Sequence, residues 1–369
     1  MKPFTPPGSD SEILPVRVYC SGFSPPKGRK PKCKELTLEY RPGQKAEQNV
    51  SLGLAEFTRS VYHLPPRIQD LLEIAAYVFC ADRYADRGDR DRLEYHRWSR
   101  EFEYFIRVRD AKFWNSKAAL ALLRESLVWI TGDRDHRFTF QGGHSTSKVD
   151  MLNEEEFVPK EQGEPKVVLF SGGLDSLAGV VDLLESTTDP IWLVSHRSAN
   201  PGTTRTQEAL YAALTRETRY SNRLNYRKLQ CSLHKYRAPE ESQRTRAFLY
   251  CSMGLAMATA LDRSEFSIFE NGVTALNFAK RADMINARAS RTTHPKTVRL
   301  LQRLFSLATG QDFRIETPFA FKTKTDVIQV LKQRRELDLM NTSCSCSRTF
   351  KEIGPATHCG ECPQCIDRR

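Results

Sequence analysis

Residues 166–176 read KVVLFSGGLDS, and this stretch decides the fold. The short apolar run at its start is typical of a buried strand, and it leads directly into a glycine-rich turn. The segment that follows, LAGVVDLLE (177–185), has apolar residues at helical spacing. A strand, a glycine turn and a helix N-terminus together present backbone N–H groups and a positive dipole end to a phosphate. The stretch therefore predicts a phosphate site at the start of a parallel α/β sheet.

The sequence after residue 166 alternates between strand and helix patterns. Residues 189–198 are a second strand candidate, 244–263 a long buried helix, and 264–272 a further strand. This alternation predicts a doubly wound parallel sheet of the α/β class. Open α/β sheets bind ligands at the carboxyl ends of their strands, which makes the polar strand-end residues candidates by position: His196, Arg197, Glu270 and Asn271.

The first 150 residues have a different pattern, and we expect them to form an α+β domain of their own. Residues 64–87 predict a helix with one apolar face, and 100–110 alternates like a strand. A polar stretch begins at residue 144, and we place a linker at 151–165. The nucleotide domain then spans 166–340, and a C-terminal segment spans 341–369. Docking of a partner is the simplest role for 1–150, which carries no catalytic constellation.

Composition limits the classes of function. The 369 residues carry a net charge of +11 and suggest two domains. Residues 201–250 hold 10 basic and 4 acidic side chains, which suits ATP and an anionic substrate but would equally attract RNA. The longest apolar stretch, near 251–261, is too short to span a bilayer, and no apolar leader segment opens the chain. We expect a cytoplasmic protein with no membrane partner, for which nucleic acid is a less favoured partner.

Five of the ten cysteines lie between residues 344 and 365. Cys359, Cys362 and Cys365 form a C-x2-C-x2-C run, and a tetrahedral Zn²⁺ needs one more thiolate, from Cys344 or Cys346. Four thiolates leave no open coordination position, so the zinc would be structural. An iron–sulfur cluster is the alternative metal.

The turn SGGLDS (171–176) resembles the motif of the PP-loop ATP pyrophosphatases, whose fold is adenine nucleotide alpha hydrolase-like. The resemblance implies cleavage of ATP between its α and β phosphates, and the Walker pattern is absent. It implies that the motif binds ATP and that Asp175 holds Mg²⁺ or orients the loop. The ATP-binding residues expected in the motif are Ser171, Gly172, Gly173, Asp175 and Ser176, to which His196 is added from its position at a strand end.

The C-terminal half also resembles the QueC family, 7-cyano-7-deazaguanine synthases that activate a carboxylated deazapurine with ATP. The resemblance rests on the loop and on a late Ser-Cys followed by C-G-x-C-x-x-C. Residues 342–344 look like the family's Trp-Ser-Cys, which makes Cys344 the preferred fourth metal ligand. The segment KTKTDVI (322–328) maps Lys324 onto a catalytic lysine near substrate or phosphate. Arg246 is a looser match at a helix start, and we expect it to bind ATP.

The sequence departs from the QueC pattern in two places, and both indicate an activity that differs from that of QueC. Residues 286–295 stand where QueC has its substrate segment, so Arg288 and Arg291 join Glu270 and Asn271 as expected substrate-binding residues. The N-terminal region is also foreign to QueC. Both features resemble the QatC-type component of antiphage defence cassettes, which implies an acceptor protein in place of ammonia. A genuine synthase, a tRNA-modifying enzyme and a non-catalytic scaffold subunit are the alternatives.

Overall fold

The structure is a computed structural model. It describes residues 15–23, 33–40, 48–53, 64–87, 99–143, 163–197, 201–237, 239, 243–277, 291–346, 358–362 and 365–366. Much of the predicted linker and residue Arg288 lie outside the described residues.

The described residues form ten strands and ten helices. The strands are β1 (Val16–Cys20), β2 (Glu35–Leu38), β3 (Val50–Leu52), β4 (Glu101–Val108), β5 (Asp135–Gly142), β6 (Lys166–Leu169), β7 (Ile191–Arg197), β8 (Leu224–Leu233), β9 (Glu265–Ile268) and β10 (Arg314–Glu316). The helices are α1 (Pro66–Tyr84), α2 (Ala111–Trp114), α3 (Lys117–Thr131), α4 (Leu174–Ser186), α5 (Pro201–Arg216), α6 (Thr218–Ser221), α7 (Arg246–Ala260), α8 (Gly272–Leu276), α9 (Pro295–Thr309) and α10 (Lys324–Gln333). A 3₁₀ turn at Leu337–Asn341 follows α10.

The larger sheet has the order β10-β9-β6-β7-β8-β3, and its first five strands are parallel. Chain order runs from β6 through β7 to β8 on one side and then returns to β9 and β10 on the other. The strand order therefore reverses between β6 and β9, which is the switch point where open α/β sheets bind their ligands. The prediction of an α/β fold with a parallel sheet is confirmed.

The smaller sheet has the order β2-β1-β4-β5, and all of its strand pairs are parallel. This is an α/β arrangement, so the expected α+β class for the N-terminal region is wrong. The alternation of EFEYFIRV in β4 reveals that alternate side chains are buried, but it carries no information about strand direction. β3, from the same region, pairs antiparallel with β8 of the larger sheet.

Helix α1 lies in a layer between the two sheets and packs along α7. It is apolar on nearly every side, from Ile68 to Ala81, as expected for a helix covered on all sides. Its side chains share one core with residues of both sheets, such as Val18 of β1 and Trp192 of β7. Each fully buried Leu or Phe in such a core contributes ~1.5–3 kcal/mol. The opposite face of the larger sheet has a second core, formed with α4, α5 and α10.

Among the described helices, none combines the length and apolar character needed to cross a bilayer. Helix α7, which contains the longest apolar stretch of the sequence, is buried in the core between the sheets.

Candidate nucleotide site and candidate metal site

The loop at residues 171–176, called here the phosphate loop, joins β6 to α4 at the switch point. Gly172 has φ +81°, a backbone conformation that favours glycine, and a Cβ at this position would lie 3.0 Å from the side-chain Cγ of Gln207. The Ser171 and Ser176 hydroxyl oxygens are 3.2 Å apart, and Ser176 Oγ donates to the Gly173 carbonyl at 3.0 Å. Gly173 is the N-cap of α4 and provides no side chain to cap it, so the first turn of the helix, apart from the Leu174 N–H that donates to Ser345 Oγ, can face an anion.

Asp175 connects the phosphate loop to two distant parts of the chain. Lys324 Nζ donates to its Oδ1 at 2.8 Å, and the side chains of Lys324 and Asp175 are 11% and 10% exposed. Asn271 donates to Oδ2 through Nδ2 at 2.7 Å and through its backbone N–H at 3.2 Å. The structure thus brings together three predicted site residues that the sequence separates by up to 149 positions. These bonds orient the carboxylate, in agreement with a loop-orienting role for Asp175.

Local structure fixes both partners of Asp175. Lys324 is the first residue of α10, and a capping box between Thr323 and Asp326 sets the start of that helix. Asn271 is the N-cap of α8 and accepts a hydrogen bond from Thr274 N. The next residue, Gly272, leaves no room for a side chain, because a Cβ there would lie 2.3 Å from the Ala320 carbonyl oxygen.

A cavity of about 250 Å³ opens beside the phosphate loop. The predicted residues Ser171, Ser176, His196, Arg246 and Glu270 all line it. Arg246 is exposed at the first turn of α7, with its guanidinium 5.9 Å from the Tyr250 ring centroid. The cavity therefore joins a hydroxyl-rich loop, a cation and a carboxylate, the groups needed to bind an anionic nucleotide together with a polar base.

Glu270, which follows β9, accepts a hydrogen bond from the Thr293 hydroxyl. Removal of water from the carboxylate raises its pKa, and the negative charge of Asp175 acts in the same direction. Lys324 and Arg246 partly oppose this shift. A ligand that donates N–H groups to this carboxylate would favour its ionised form.

His196 lies in the cavity wall as a neutral ring. Burial lowers its pKa to about 4, and the positive charges of Arg246 and Arg83 add to the shift. The ring Nε2 is 3.2 Å from the Cys231 carbonyl oxygen, which requires the proton on that nitrogen, and Nδ1 lies 3.4 Å from the Tyr250 hydroxyl. The neutral ring of His196 therefore lines the cavity and adds no positive charge that could bind a phosphate.

Two arginines are expected at the substrate, and the one that the structure describes, Arg291, does not reach the cavity. Arg291 donates to the Trp129 carbonyl at 2.5 Å, and its guanidinium lies 4.2 Å from the centroid of the Trp129 ring. This contact joins residue 291 to α3 of the N-terminal region, and Arg291 does not line the cavity. Its neighbours Thr292 and Thr293 do. Arg288 falls outside the described residues, so its role stays a prediction.

Four cysteines form the cysteine cluster: Cys346, Cys359, Cys362 and Cys365, whose sulfur atoms all lie within 4.8 Å of one another. The Cys359–Cys365 and Cys346–Cys362 sulfur pairs are 3.9 and 4.0 Å apart. Tetrahedral zinc with bonds of ~2.3 Å separates its sulfur ligands by ~3.8 Å, so the donor set fits a structural Zn²⁺. Backbone N–H groups of Glu361 and Cys362 donate to Cys359 Sγ and lower the pKa of this thiol, which favours the thiolate that a metal needs.

The fourth member of the cluster is Cys346, and the preference for Cys344 was wrong. Cys344 is not one of these four, although its side chain packs against them, and its backbone N–H donates to the Gly172 carbonyl at 3.1 Å. The chain has two Ser-Cys dipeptides in succession, at 343–344 and 345–346, and the second contains the cluster member. Spacing alone could not separate the two cysteines, since both precede the C-x2-C-x2-C run by a similar distance.

Sequence reasoning missed four polar residues at the site. Gln207 of α5 donates to the Ser171 carbonyl at 3.3 Å, and Tyr250 and Thr293 line the cavity. A further residue, Ser345, accepts a hydrogen bond from Leu174 N of the phosphate loop at 3.2 Å. Only the repeated Ser-Cys dipeptide signalled Ser345. The others carry no local motif, because packing of the helices on the sheet determines which side chains meet the loop.

The family model described as "Queuosine biosynthesis protein QueC" matches residues 244–369, about a third of the chain. The chain thus carries a QueC family domain in this region, which contains Arg246, Glu270, Asn271, Lys324 and the cysteine cluster. The phosphate loop lies before the matched stretch. Members of the QueC family are ATP-dependent ligases. A comparison with curated proteins found no match.

Proposed function

We propose that this protein uses ATP to adenylate a carboxylated deazapurine, releases pyrophosphate, and joins the activated carboxylate to an amine. The observation that carries the proposal is the Lys324–Asp175–Asn271 contact at the switch point, which places a lysine ammonium beside an intact SGGLDS loop. A phosphate-binding loop with a nearby cation is the arrangement that stabilises a leaving pyrophosphate. The QueC family domain supports the same class of chemistry.

The chemistry has two steps. A carboxylate oxygen of the substrate attacks the α-phosphorus of ATP, and the bond from that phosphorus to the β-phosphate bridging oxygen breaks. The amine then attacks the acyl carbon and loses a proton, and AMP leaves with the former carboxylate oxygen. The chain contributes positioning and charge: the phosphate loop binds the leaving pyrophosphate, and Lys324 and Arg246 stabilise its negative charge.

Glu270 is our proposed contact for the base of the substrate. A carboxylate is an acceptor only, so it pairs with the N–H donors on one edge of a guanine-like ring. Its position at the end of β9, next to Asn271, suits a substrate that lies across the switch point from ATP. We propose Mg²⁺ as the counter-ion of ATP and Zn²⁺ as the ion for the cysteine cluster, where it would hold the C-terminal segment.

The acceptor that we propose is a protein amine, as in QueC-like defence cassettes. Two exposed apolar side chains lie near the lysine and asparagine along the chain: Phe321, three residues before Lys324, is fully exposed, and Val273, two residues after Asn271, is 59% exposed. These residues are close in space, because Gly272 N donates to the Lys322 carbonyl at 2.9 Å. An apolar rim suits a peptide better than ammonia. The buried charges of the N-terminal region are paired internally, as in Arg100 with Asp82 and Asp133, which suits a docking role better than catalysis.

The test is nucleotide analysis after incubation with ATP, Mg²⁺ and 7-carboxy-7-deazaguanine, with and without ammonia. We expect AMP and pyrophosphate only when the deazapurine is present. A nitrile product with ammonia would identify a genuine synthase in place of a protein ligase. AMP formation that requires tRNA, or no AMP under any condition, would contradict the proposed substrate.

A further inference from the structure

The segment 344–346 lies between the phosphate loop and the cysteine cluster. Cys344 N donates to the Gly172 carbonyl at 3.1 Å, and Leu174 N donates to Ser345 Oγ at 3.2 Å. The next residue, Cys346, is a member of the cysteine cluster. Two consecutive residues therefore bond to the loop, and the third belongs to the group that can hold a metal.

The Ser345 hydroxyl is placed to act on the same ligand as the loop serines. A Cβ built on Gly173 would lie 3.4 Å from Ser171 Oγ and 3.5 Å from Ser345 Oγ, so the two hydroxyls flank this glycine. The bond from Leu174 N uses an acceptor site of Ser345 Oγ. Within the part of the chain that the structure describes, the hydroxyl hydrogen of Ser345 has no acceptor, and it can donate to a phosphate oxygen.

We propose that Ser345 is a pyrophosphate-binding residue, contributed to the phosphate loop from the far end of the chain, and that metal in the cysteine cluster sets its position. The proposal rests on the proposed function, since it assumes that the loop binds ATP. It adds a third hydroxyl to those of Ser171 and Ser176. It also means that metal in the cysteine cluster affects pyrophosphate binding at the phosphate loop.

The metal acts through the covalent neighbour of Ser345. Three of the four cluster cysteines lie at 359–365, and Cys346 is the single member on the side of the phosphate loop. A tetrahedral ion bonded to all four fixes the backbone at 346 relative to 359–365. The adjoining residues 344 and 345 are then held against Gly172 and Leu174. Removal of the ion frees Cys346 and with it the hydroxyl of Ser345.

The experiment is calorimetric titration of the zinc-loaded full chain with inorganic pyrophosphate and Mg²⁺. Ser345→Ala should weaken pyrophosphate binding about tenfold, the effect of losing one hydrogen bond to a charged group. Ser186→Ala is the matched control, because this exposed serine lies at the other end of α4 and should bind pyrophosphate as the unchanged protein does. AMP, which lacks the β and γ phosphates, should bind both variants equally.

Titrations of metal-free protein test whether metal in the cysteine cluster sets the position of Ser345. Stripping the ion with a chelator should weaken pyrophosphate binding of the unchanged protein about tenfold and should add little to the defect of Ser345→Ala. Circular dichroism of the stripped protein shows whether the sheet is intact, and Cys346→Ser provides a second route to the same state.

Two results would overturn the proposal while leaving the proposed function in place. One is normal pyrophosphate binding by Ser345→Ala alongside weakened binding by Ser176→Ala. The other is an equal additional loss in Ser345→Ala when the metal is removed. If the zinc-loaded, unchanged protein binds neither ATP nor pyrophosphate, the proposed function fails as well.

Discussion

Two clusters of charged side chains in this molecule are buried, but they differ in which groups neutralise and hydrogen-bond their carboxylates. In the N-terminal region, Asp82 and Asp133 pair with Arg87 and Arg100, and each of these side chains is at most 6% exposed. This set is called here the buried ion-pair cluster. At the switch point, a single carboxylate, Asp175, is held by a lysine and an amide beside an open cavity.

The difference lies in how far the chain itself satisfies the buried charges. The buried ion-pair cluster is completed by the chain itself, since Arg100 bonds both carboxylates and the Ala85 and Asp82 carbonyls. The Asp175 group lies beside loop hydroxyls and Arg246 that face a cavity, which leaves room for a ligand. The two are linked, because Asp82 accepts hydrogen bonds from Thr245 N and Oγ1, directly before Arg246.

The largest effect that we expect is on stability, from Arg100→Ala. Removal of this arginine leaves two buried carboxylates with one fewer cation, which typically costs ~3–5 kcal/mol in the free energy of unfolding. Urea denaturation measures the change. The control is Arg314→Ala, since the Arg314–Glu265 pair is on the surface and should contribute at most ~1 kcal/mol. If both variants lower the free energy of unfolding by the same small amount, the buried ion-pair cluster contributes no more to stability than a surface pair.

Lys324→Ala should act on the reaction and leave the fold intact. Loss of one preorganised cation at the developing charge typically lowers kcat by ~10²–10³. The assay is AMP release under saturating ATP, with urea denaturation run in parallel. Lys322→Ala provides the comparison, because this lysine lies over the Phe319 ring and does not contact Asp175. If Lys324→Ala destabilises the protein as much as Arg100→Ala does, the Asp175 group is structural too.

The pH dependence of stability offers a third comparison. His196 has a folded-state pKa of about 4, lowered by burial, so only the unfolded chain takes up the proton as pH falls below ~6.5. Stability should therefore fall with decreasing pH, by about 2 kcal/mol between pH 6.5 and 5. Urea midpoints across this range measure the slope, and His196→Gln should flatten it. An unchanged slope in the variant would place the titration elsewhere.

The smallest effect belongs to Arg246→Ala. This exposed cation at the cavity should bind the leaving pyrophosphate, and its loss should weaken pyrophosphate binding about tenfold, with less dependence on salt. Titration at two ionic strengths checks both points. Arg197→Ala, at an exposed strand end outside the cavity lining, should leave the affinity unchanged. Matching losses in the two variants would mean that the charge acts only at long range.

Local pattern predicted the features that depend on neighbouring residues. The run KVVLFSGGLDS contains its strand, its turn and its helix start, so β6, the phosphate loop and α4 were predictable. The meeting of Lys324 with the loop followed from a resemblance between short segments. Strand direction in the smaller sheet was not predictable, because alternation in β4 looks the same in parallel and antiparallel pairs.

Features that depend on tertiary packing could not be predicted from the sequence. Arg291 lies in a basic segment, yet it stacks on Trp129 of α3, which no local signal indicates. Cys344 and Cys346 are equivalent by spacing, and only the positions of their sulfur atoms in the folded chain show that Cys346 belongs to the cluster.

We propose that the phosphate loop supports attack by a carboxylate on the α-phosphorus of ATP. The most direct measurement is mass analysis of AMP formed from 7-carboxy-7-deazaguanine labelled with ¹⁸O in its carboxylate. Adenylation followed by amine attack predicts AMP that carries one ¹⁸O atom. Unlabelled AMP, or ADP and phosphate in its place, would contradict the account.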